Sequence, residues 1–287
     1  MSELEVRTAT ATEPSPGRSR RRLPGVGELL ALLFALFLLA ATLIPGVVST
    51  VDPNAIDPRA AFSPPTAAHW FGTDESGRDV YSRVVHGTAT SLLIGVSATA
   101  IGLGLGLVLG VLAGFGGRVL DFTVNRFVEV LFAFPGLLLA LLVIVIAGPG
   151  PVTATLAVGL STAPGYARII RGQLVGIRSS AWVESARVLG HRPSRILRRH
   201  ILPNALAPLV VLATLGIGQA VVWAAALSYL GLGAQPPSPE WGAMLSAGRP
   251  YIGTAWWLTV FPGLMIVLTT IASTVLGRGI SRRSREA

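Results

Sequence analysis

Residues 84–117 read VVHGTATSLLIGVSATAIGLGLGLVLGVLAGFGG, a run of 34 residues with no Asp, Glu, Arg or Lys and no proline. As one helix it would be about 51 Å long at 1.5 Å per residue, against a hydrocarbon core of about 30 Å. Two readings compete. One is a single long helix over 89–115 with an extra-membrane start. The other is a hairpin of two short spans. The choice sets the side of every later segment, so it decides the fold.

Four further stretches carry no charge: 29–51, 130–167, 200–239 and 250–277. Charged residues are 13% of the 287-residue chain, about half the share of a soluble domain, and they cluster between these stretches. A soluble globule cannot solvate its surface that way, so the chain reads as a polytopic membrane protein. Gly148-Pro149-Gly150-Pro151 divides the 38-residue stretch, a strong turn signal, giving spans at 125–147 and 152–171. Pro203, Pro208, Pro236 and Pro237 trim the 40-residue stretch to 209–230. With 28–49, 89–115 and 256–276, six spans result.

Arginine placement chooses between the two readings. With one long helix and the N-terminus inside, the inner segments 1–27, 116–126, 168–200 and 278 onward hold 19 of the 23 arginines. The outer segments hold Arg59, Arg78, Arg83 and Arg249. This is the positive-inside bias. A hairpin would throw the loop with eight arginines outside. The expectation is an all-α bundle of six transmembrane helices with N- and C-termini cytoplasmic, multi-pass in a bacterial cytoplasmic (inner) membrane. Residues 1–88 form an N-terminal region with the first span. Residues 89–287 form a five-helix core with an inner loop over 172–205. Topology accounts for the net charge of +9, so no nucleic acid is expected; membrane lipid is the natural surround.

Composition removes several chemistries. Cysteine is absent, which excludes disulfides and thiolate chemistry. Every basic residue is arginine, so the phosphate-binding GxxxxGK[ST] loop cannot be built. The four histidines, His69, His86, His191 and His200, form no HxxxH pair, and no metal site or catalytic set is expected.

Within the spans, Gly102, Gly106, Gly110 and Gly114 recur every four residues. That spacing lets two helix backbones approach closely, either at a sliding or subunit interface or in packing within the chain. No ionisable residue lies near the middle of a span, as proton-coupled carriers require. Gln219 and Trp223 are the polar or amphipathic candidates for a pathway wall, with helix packing as the alternative. Trp256 and Trp257 open the sixth span and fit an outer aromatic belt.

The inner loop reads as two short helices. Ser179 and Ser180 are N-cap candidates for a helix over 181–189, which Gly190 ends in a left-handed conformation. Pro193 opens the second helix, and Pro203 ends it at the membrane. Trp182, Val183, Ala186 and Leu189 form an apolar stripe on the first helix, suited to a groove in a partner protein.

Here the sequence resembles a known family. Glu184-Ser185-Ala186, then Gly190, then His200-Ile201-Leu202-Pro203 is similar to the E-A-A, G, I-x-L-P pattern of binding-protein-dependent ABC importer permeases. Ser185 replaces an alanine and His200 an isoleucine. HILPN at 200–204, FGTDESGRDV at 71–80 and LGLGAQPPSPEWG at 230–242 resemble the dipeptide/oligopeptide branch. The resemblance covers nearly all of the chain beyond residue 28.

The resemblance implies a type I importer permease with no enzyme activity of its own. ATP and Mg would sit on separate ABC ATPase subunits of one or two kinds, with no cofactor on this chain. A second homologous permease would complete the pathway, and an extracytoplasmic solute-binding protein would deliver cargo. Helix 181–189 would dock in the ATPase, Glu184 pairing with a nearby arginine and Gly190 permitting the bend. Leu202 and Pro203 would seat the second helix at the membrane. Gly72, Thr73, Asp74, Gly77, Arg78 and Asp79, with Gln235, Pro236, Pro237, Trp241 and Gly242, would lie on the outer face, touching the binding protein or bracing the vestibule. Nickel, glutathione and heme are alternative cargoes on the same fold. A stand-alone channel or secondary transporter would need internal repeats or intramembrane ionisable groups.

Overall fold

The computed structural model describes residues 25–286, with the backbone alone at 193, 200, 202–207 and 284–286. The first 24 residues, which include all five arginines of segment 1–27, lie outside the described residues. The described chain is helical with no strand beyond an isolated bridge between Thr73 and Asp79. The helices are α1 Val26–Leu43, α2 Pro45–Val48, α3 Val80–Phe115, α4 Gly117–Phe132, α5 Gly136–Ala147, α6 Pro151–Arg178, α7 Ala181–Val188, α8 Pro193–Ile196, α9 Leu202–Tyr229, α10 Trp241–Gly248 and α11 Trp257–Glu286. A π-helical turn over Leu197–Ile201 joins α8 to α9.

The deciding stretch is a single helix. α3 runs 36 residues without a break, so the hairpin is excluded. Asp79 caps it, its Oδ2 accepting from the Ser82 N–H at 2.7 Å. α3 ends at Phe115 with Gly116 as its C-cap, and Gly117 follows at φ +86°, a conformation that side chains with Cβ resist.

Two boundaries differ from the expectation. The span expected over 125–147 is two helices, α4 and α5, bent by 89°. Pro135 stands at the break. It offers no N–H and disfavours helical backbone at Phe134. Charge counting does not register such a break. Pro203 does not end a helix either: it lies in the first turn of α9, where a missing N–H costs nothing, and the π-turn runs into it. α6 continues to Arg178, so the inner loop is shorter than 172–205. Four helices are long and apolar enough to cross a membrane, and the α4–α5 pair makes a fifth if it is one broken span. α6 has the length for another, about 42 Å, but carries Arg168 and Arg171 within it.

Close contact between α3 and α6 organises the bundle. A Cβ on Gly102 would stand 2.4 Å from Thr162 Oγ1, on Gly106 2.5 Å from Tyr166 Cβ, on Gly110 2.8 Å from Ile170 Cγ2, and on Gly114 3.1 Å from Leu174 Cβ. Each glycine thus receives a residue four positions beyond the last on α6. The stripe is a seam within the chain, where backbone approach gains dispersion that bulkier residues would forbid. α9 lies between α3 and α11, and α1 rests against α11 and α3 at the edge. Glu28 at the start of α1 pairs with Arg282 and Arg283 near the end of α11, so these two ends share one side of the bundle. Asp121 on α4 takes both guanidinium arms of Arg171 on α6, at 2.6 and 2.8 Å.

Candidate functional site

The inner loop is built on α7. Ser180 occupies its N-cap position, but the hydroxyl donates back to the Ile177 carbonyl at 2.6 Å rather than accepting from the helix. The other end closes as a Schellman motif: Gly190 has φ +74°, the His191 N–H donates to Ala186 O at 3.1 Å and the Gly190 N–H to Arg187 O at 2.9 Å. This turns the chain back toward α8.

The apolar stripe on α7 divides. Val183 and Ala186 are buried against Ile170, Leu174, Ile196 and Ile201 of the same chain. Trp182, Glu184, Ser185, Arg187, Val188 and Leu189 are exposed, Val188 and Leu189 at 84% and 75%. The four stripe residues therefore cannot all enter a partner groove: the inward pair clamps α7 to α6, leaving Trp182 and Leu189 outside. Glu184 lies in the first turn of α7, where the helix dipole favours an acid. Among the described residues it forms no ion pair with arginine, contrary to the expectation. The side chains of His200, Leu202 and Pro203 lie outside the described residues.

The outer strings fold into each other. In 71–80, Asp74 Oδ1 accepts from the N–H groups of Ser76 and Arg78 at 2.9 and 3.0 Å. Its Oδ2 accepts from Arg78 Nε at 2.7 Å. Gly77 has φ +75°, and a Cβ there would lie 1.7 Å from Asp57 O. Gly72 has φ +72° and a Cβ there would strike Ser63 O and Trp257. Asp79, besides capping α3, receives His69 Nδ1 at 3.0 Å. Thr73, Asp74, Arg78 and Asp79 are all buried within the chain.

In 230–242, Glu240 accepts from the N–H groups of Gly242 and Ala243 at 2.9 Å each, capping α10. Its burial pushes the carboxyl above the ordinary value, against the pull of those donors. The Trp241 indole N–H donates to Val84 O at 3.0 Å, and a Cβ on Gly242 would lie 2.6 Å from Ala225. Pro236–Pro237 is a cis peptide, and Gln235 donates to Gly231 O at 3.2 Å. Trp257 is not a belt residue: it is buried, its indole N–H donating to Thr73 O at 3.0 Å, while Trp256 stays exposed.

A cavity of about 300 Å³ lies between the α4–α5 break, α6 and α9, and both Gln219 and Trp223 line it. Phe132 on its wall is covered by the Arg168 guanidinium, 4.1 Å from the ring centroid.

Four residues were not singled out in the sequence. Arg83 donates to Pro53 O and Pro237 O at 3.2 and 2.9 Å. Ser91 accepts from the Trp241 N–H at 3.1 Å. Gly87 admits Pro239 O where a Cβ would lie 1.8 Å away. Tyr166 joins the cavity wall. Only Arg83 had a visible signal, as a charge at the head of a long apolar helix.

Comparison with known proteins agrees with this geometry. The family described as "Binding-protein-dependent transport system inner membrane component" matches residues 106–286. The chain is similar to the dipeptide transport system permease protein DppC of Alkalihalophilus pseudofirmus, at 39% identity over 261 residues, 91% of this chain and 84% of that one. It is similar to the probable D,D-dipeptide transport system permease protein DdpC of Escherichia coli, at 42% over 250 residues, 87% and 84%. It is also similar to the glutathione transport system permease protein GsiD of Pectobacterium atrosepticum, at 41% over 262 residues, 91% and 87%. In fold it resembles the inward-facing MetNI methionine ABC transporter (TM-score 0.53, 24% identity, 69% of this chain and 95% of that one). An amino acid ABC transporter crystallised with histidines is similar in the same way (0.57, 17%, 71% and 94%). A single long α3, an α7 closed by Gly190 and two interlocked strings at 71–80 and 230–242 thus occur on a chain that belongs to the binding-protein-dependent transport system inner membrane components, the permease subunits of ABC importers.

Proposed function

We propose that this permease imports dipeptides and oligopeptides, forming half of a pathway completed by a second homologous permease. Its six spans place both termini in the cytoplasm. Cytoplasmic ABC ATPases, carrying ATP and Mg, seat α7 in a groove, and closure of the ATPase pair rocks the permeases outward toward a loaded solute-binding protein. The observation that carries this reading is α7 itself. Its inward face, Val183 and Ala186, is clamped to the transmembrane core, while Trp182, Val188 and Leu189 remain exposed beside Glu184. A helix with one face in the bundle and the other exposed can pass force between an ATPase and the spans. The peptide cargo is supported by the dipeptide permeases among the relatives.

The test uses the assembled complex. Glu184→Arg combined with Gly190→Pro is expected to abolish uptake and substrate-stimulated ATP hydrolysis. Leu189→Asp, at an exposed site that leaves folding intact, is expected to do the same. Retained stimulation in both variants overturns the coupling role.

A second reading follows from the glutathione permease relative. Affinity of the cognate binding protein for peptides, glutathione and Ni²⁺ separates the cargoes.

A further inference from the structure

We infer that the cavity between the α4–α5 break, α6 and α9 is a subsite of the transport pathway that holds the amide groups of a peptide in transit. This inference rests on the peptide reading above.

Three polar groups on the cavity wall have no hydrogen-bond partner among the described residues: the Tyr166 hydroxyl, the Gln219 amide and the Trp223 indole N–H. The neighbouring hydroxyls differ, since Ser161 donates to Val158 O at 2.9 Å and Thr162 to Val158 O at 3.0 Å. Gln219 lies near the middle of the apolar stretch Pro208–Tyr229. Gln219 is exposed and Tyr166 and Trp223 are half-buried, so these groups open onto the space rather than into the bundle, and at that depth lipid would leave them without a partner at a cost. An amide, a hydroxyl and an indole N–H together offer both donors and an acceptor, the complement of a peptide unit. Phe132 and Phe134 add apolar surface, and no Asp, Glu, Arg, Lys or His is among the described lining residues. A lining of this kind holds the backbone common to all peptides, and the Arg168 guanidinium over the Phe132 ring sets a positive charge at its edge.

The size of the space is set from behind. A Cβ on Gly136 would lie 2.4 Å from Trp223 Cη2, so the glycine lets the indole lie back against α5. The α4–α5 break places that glycine there.

The chain has no cysteine, so a single cysteine can be read without background. In the reconstituted complex, Gln219→Cys is expected to react with a hydrophilic maleimide, and saturating trialanine with loaded binding protein is expected to slow the reaction. Tyr166→Phe with Gln219→Leu is expected to lower trialanine uptake by about five- to 150-fold, the effect of losing two neutral hydrogen bonds, with equal losses for tripeptides bearing Lys or Glu. Gly136→Ala is expected to reduce uptake of bulky tripeptides more than that of dialanine. Absence of labelling, as when a helix of the partner permease fills the space, overturns the subsite, as does labelling that trialanine does not slow. Uptake by the unsubstituted complex is measured in the same preparation. If that complex does not import trialanine, the peptide reading falls and the subsite with it. If it does and Gln219→Cys is unprotected, only the subsite falls.

Discussion

Arg83 and Pro237 are 154 positions apart, yet the Arg83 Nη2 donates to the Pro237 carbonyl at 2.9 Å. The same guanidinium reaches Pro53 O at 3.2 Å and stands 3.6 Å from Asp74. One buried arginine therefore ties together three segments: the loop after α1, the FGTDESGRDV string and the QPPSPEWG string. This contact favours the bracing role for both strings over direct contact with a partner.

Loss of that tie should be visible as instability. Arg83→Met keeps the apolar stem and removes two charge-assisted hydrogen bonds, for an expected loss of about 3 kcal/mol. Arg126→Met breaks only the exposed pair with Glu129 and should cost under about 1 kcal/mol. Thermal unfolding of the detergent-purified protein compares the two, and equal shifts would rule out the bracing role.

The glycine seam makes a paired prediction on one helix. Gly106→Val forces side-chain atoms into Tyr166 and should cost about 1–3 kcal/mol by overpacking. Gly104 meets nothing within 4 Å, so Gly104→Ala should be neutral or stabilising by up to about 1 kcal/mol. The same unfolding measurement serves, and a cost for both would mean Gly104 also faces a packed surface.

Two glycines share a backbone conformation but not surroundings. Gly190 has φ +74° and nothing within 4 Å, whereas a Cβ on Gly77, at φ +75°, would meet Asp57 O at 1.7 Å. Gly190→Ala should cost only the left-handed penalty, about 1–2 kcal/mol. Gly77→Ala should cost more and lower the yield of folded protein in the membrane.

Glu240 sets a pH dependence of defined sign. Burial raises its carboxyl above 4.5 in the folded state, so the folded state holds the proton more tightly than the unfolded one. The stabilisation is complete below pH 4.5 and is lost as pH rises through the raised value. Glu240→Gln should flatten the stability profile above pH 4.5 while keeping one acceptor for the α10 N–H groups. Unfolding midpoints at stepped pH test this; an unchanged slope would show that other groups carry it.

Much of the membrane organisation was legible because its cause is local. A run without charge either suits hydrocarbon or does not, so α1, α3, α9 and α11 could be placed from composition. Gly190 was legible because a helix end needs a left-handed residue wherever it occurs. The α4–α5 break was not, although Pro135 stood in plain sight. One proline does not say whether a helix kinks or splits; the packing of α5 against α6 decides that. The division of the α7 stripe was equally hidden, since Val183 and Leu189 are both apolar and only the position of α6 distinguishes them.

By itself the sequence determined an all-helical membrane chain, one unbroken second span and the loop that carries the family pattern, because charge, proline and glycine act through solvation and backbone conformation at their own positions. Only the tertiary structure decided that the Gly102–Gly114 stripe seats α6 of the same chain, that Trp257 is latched to Thr73, that Arg83 joins three segments and that Tyr166 meets Gln219 and Trp223 across one cavity. Those facts depend on which surfaces meet, and pairing between distant segments follows from the shape of the whole bundle.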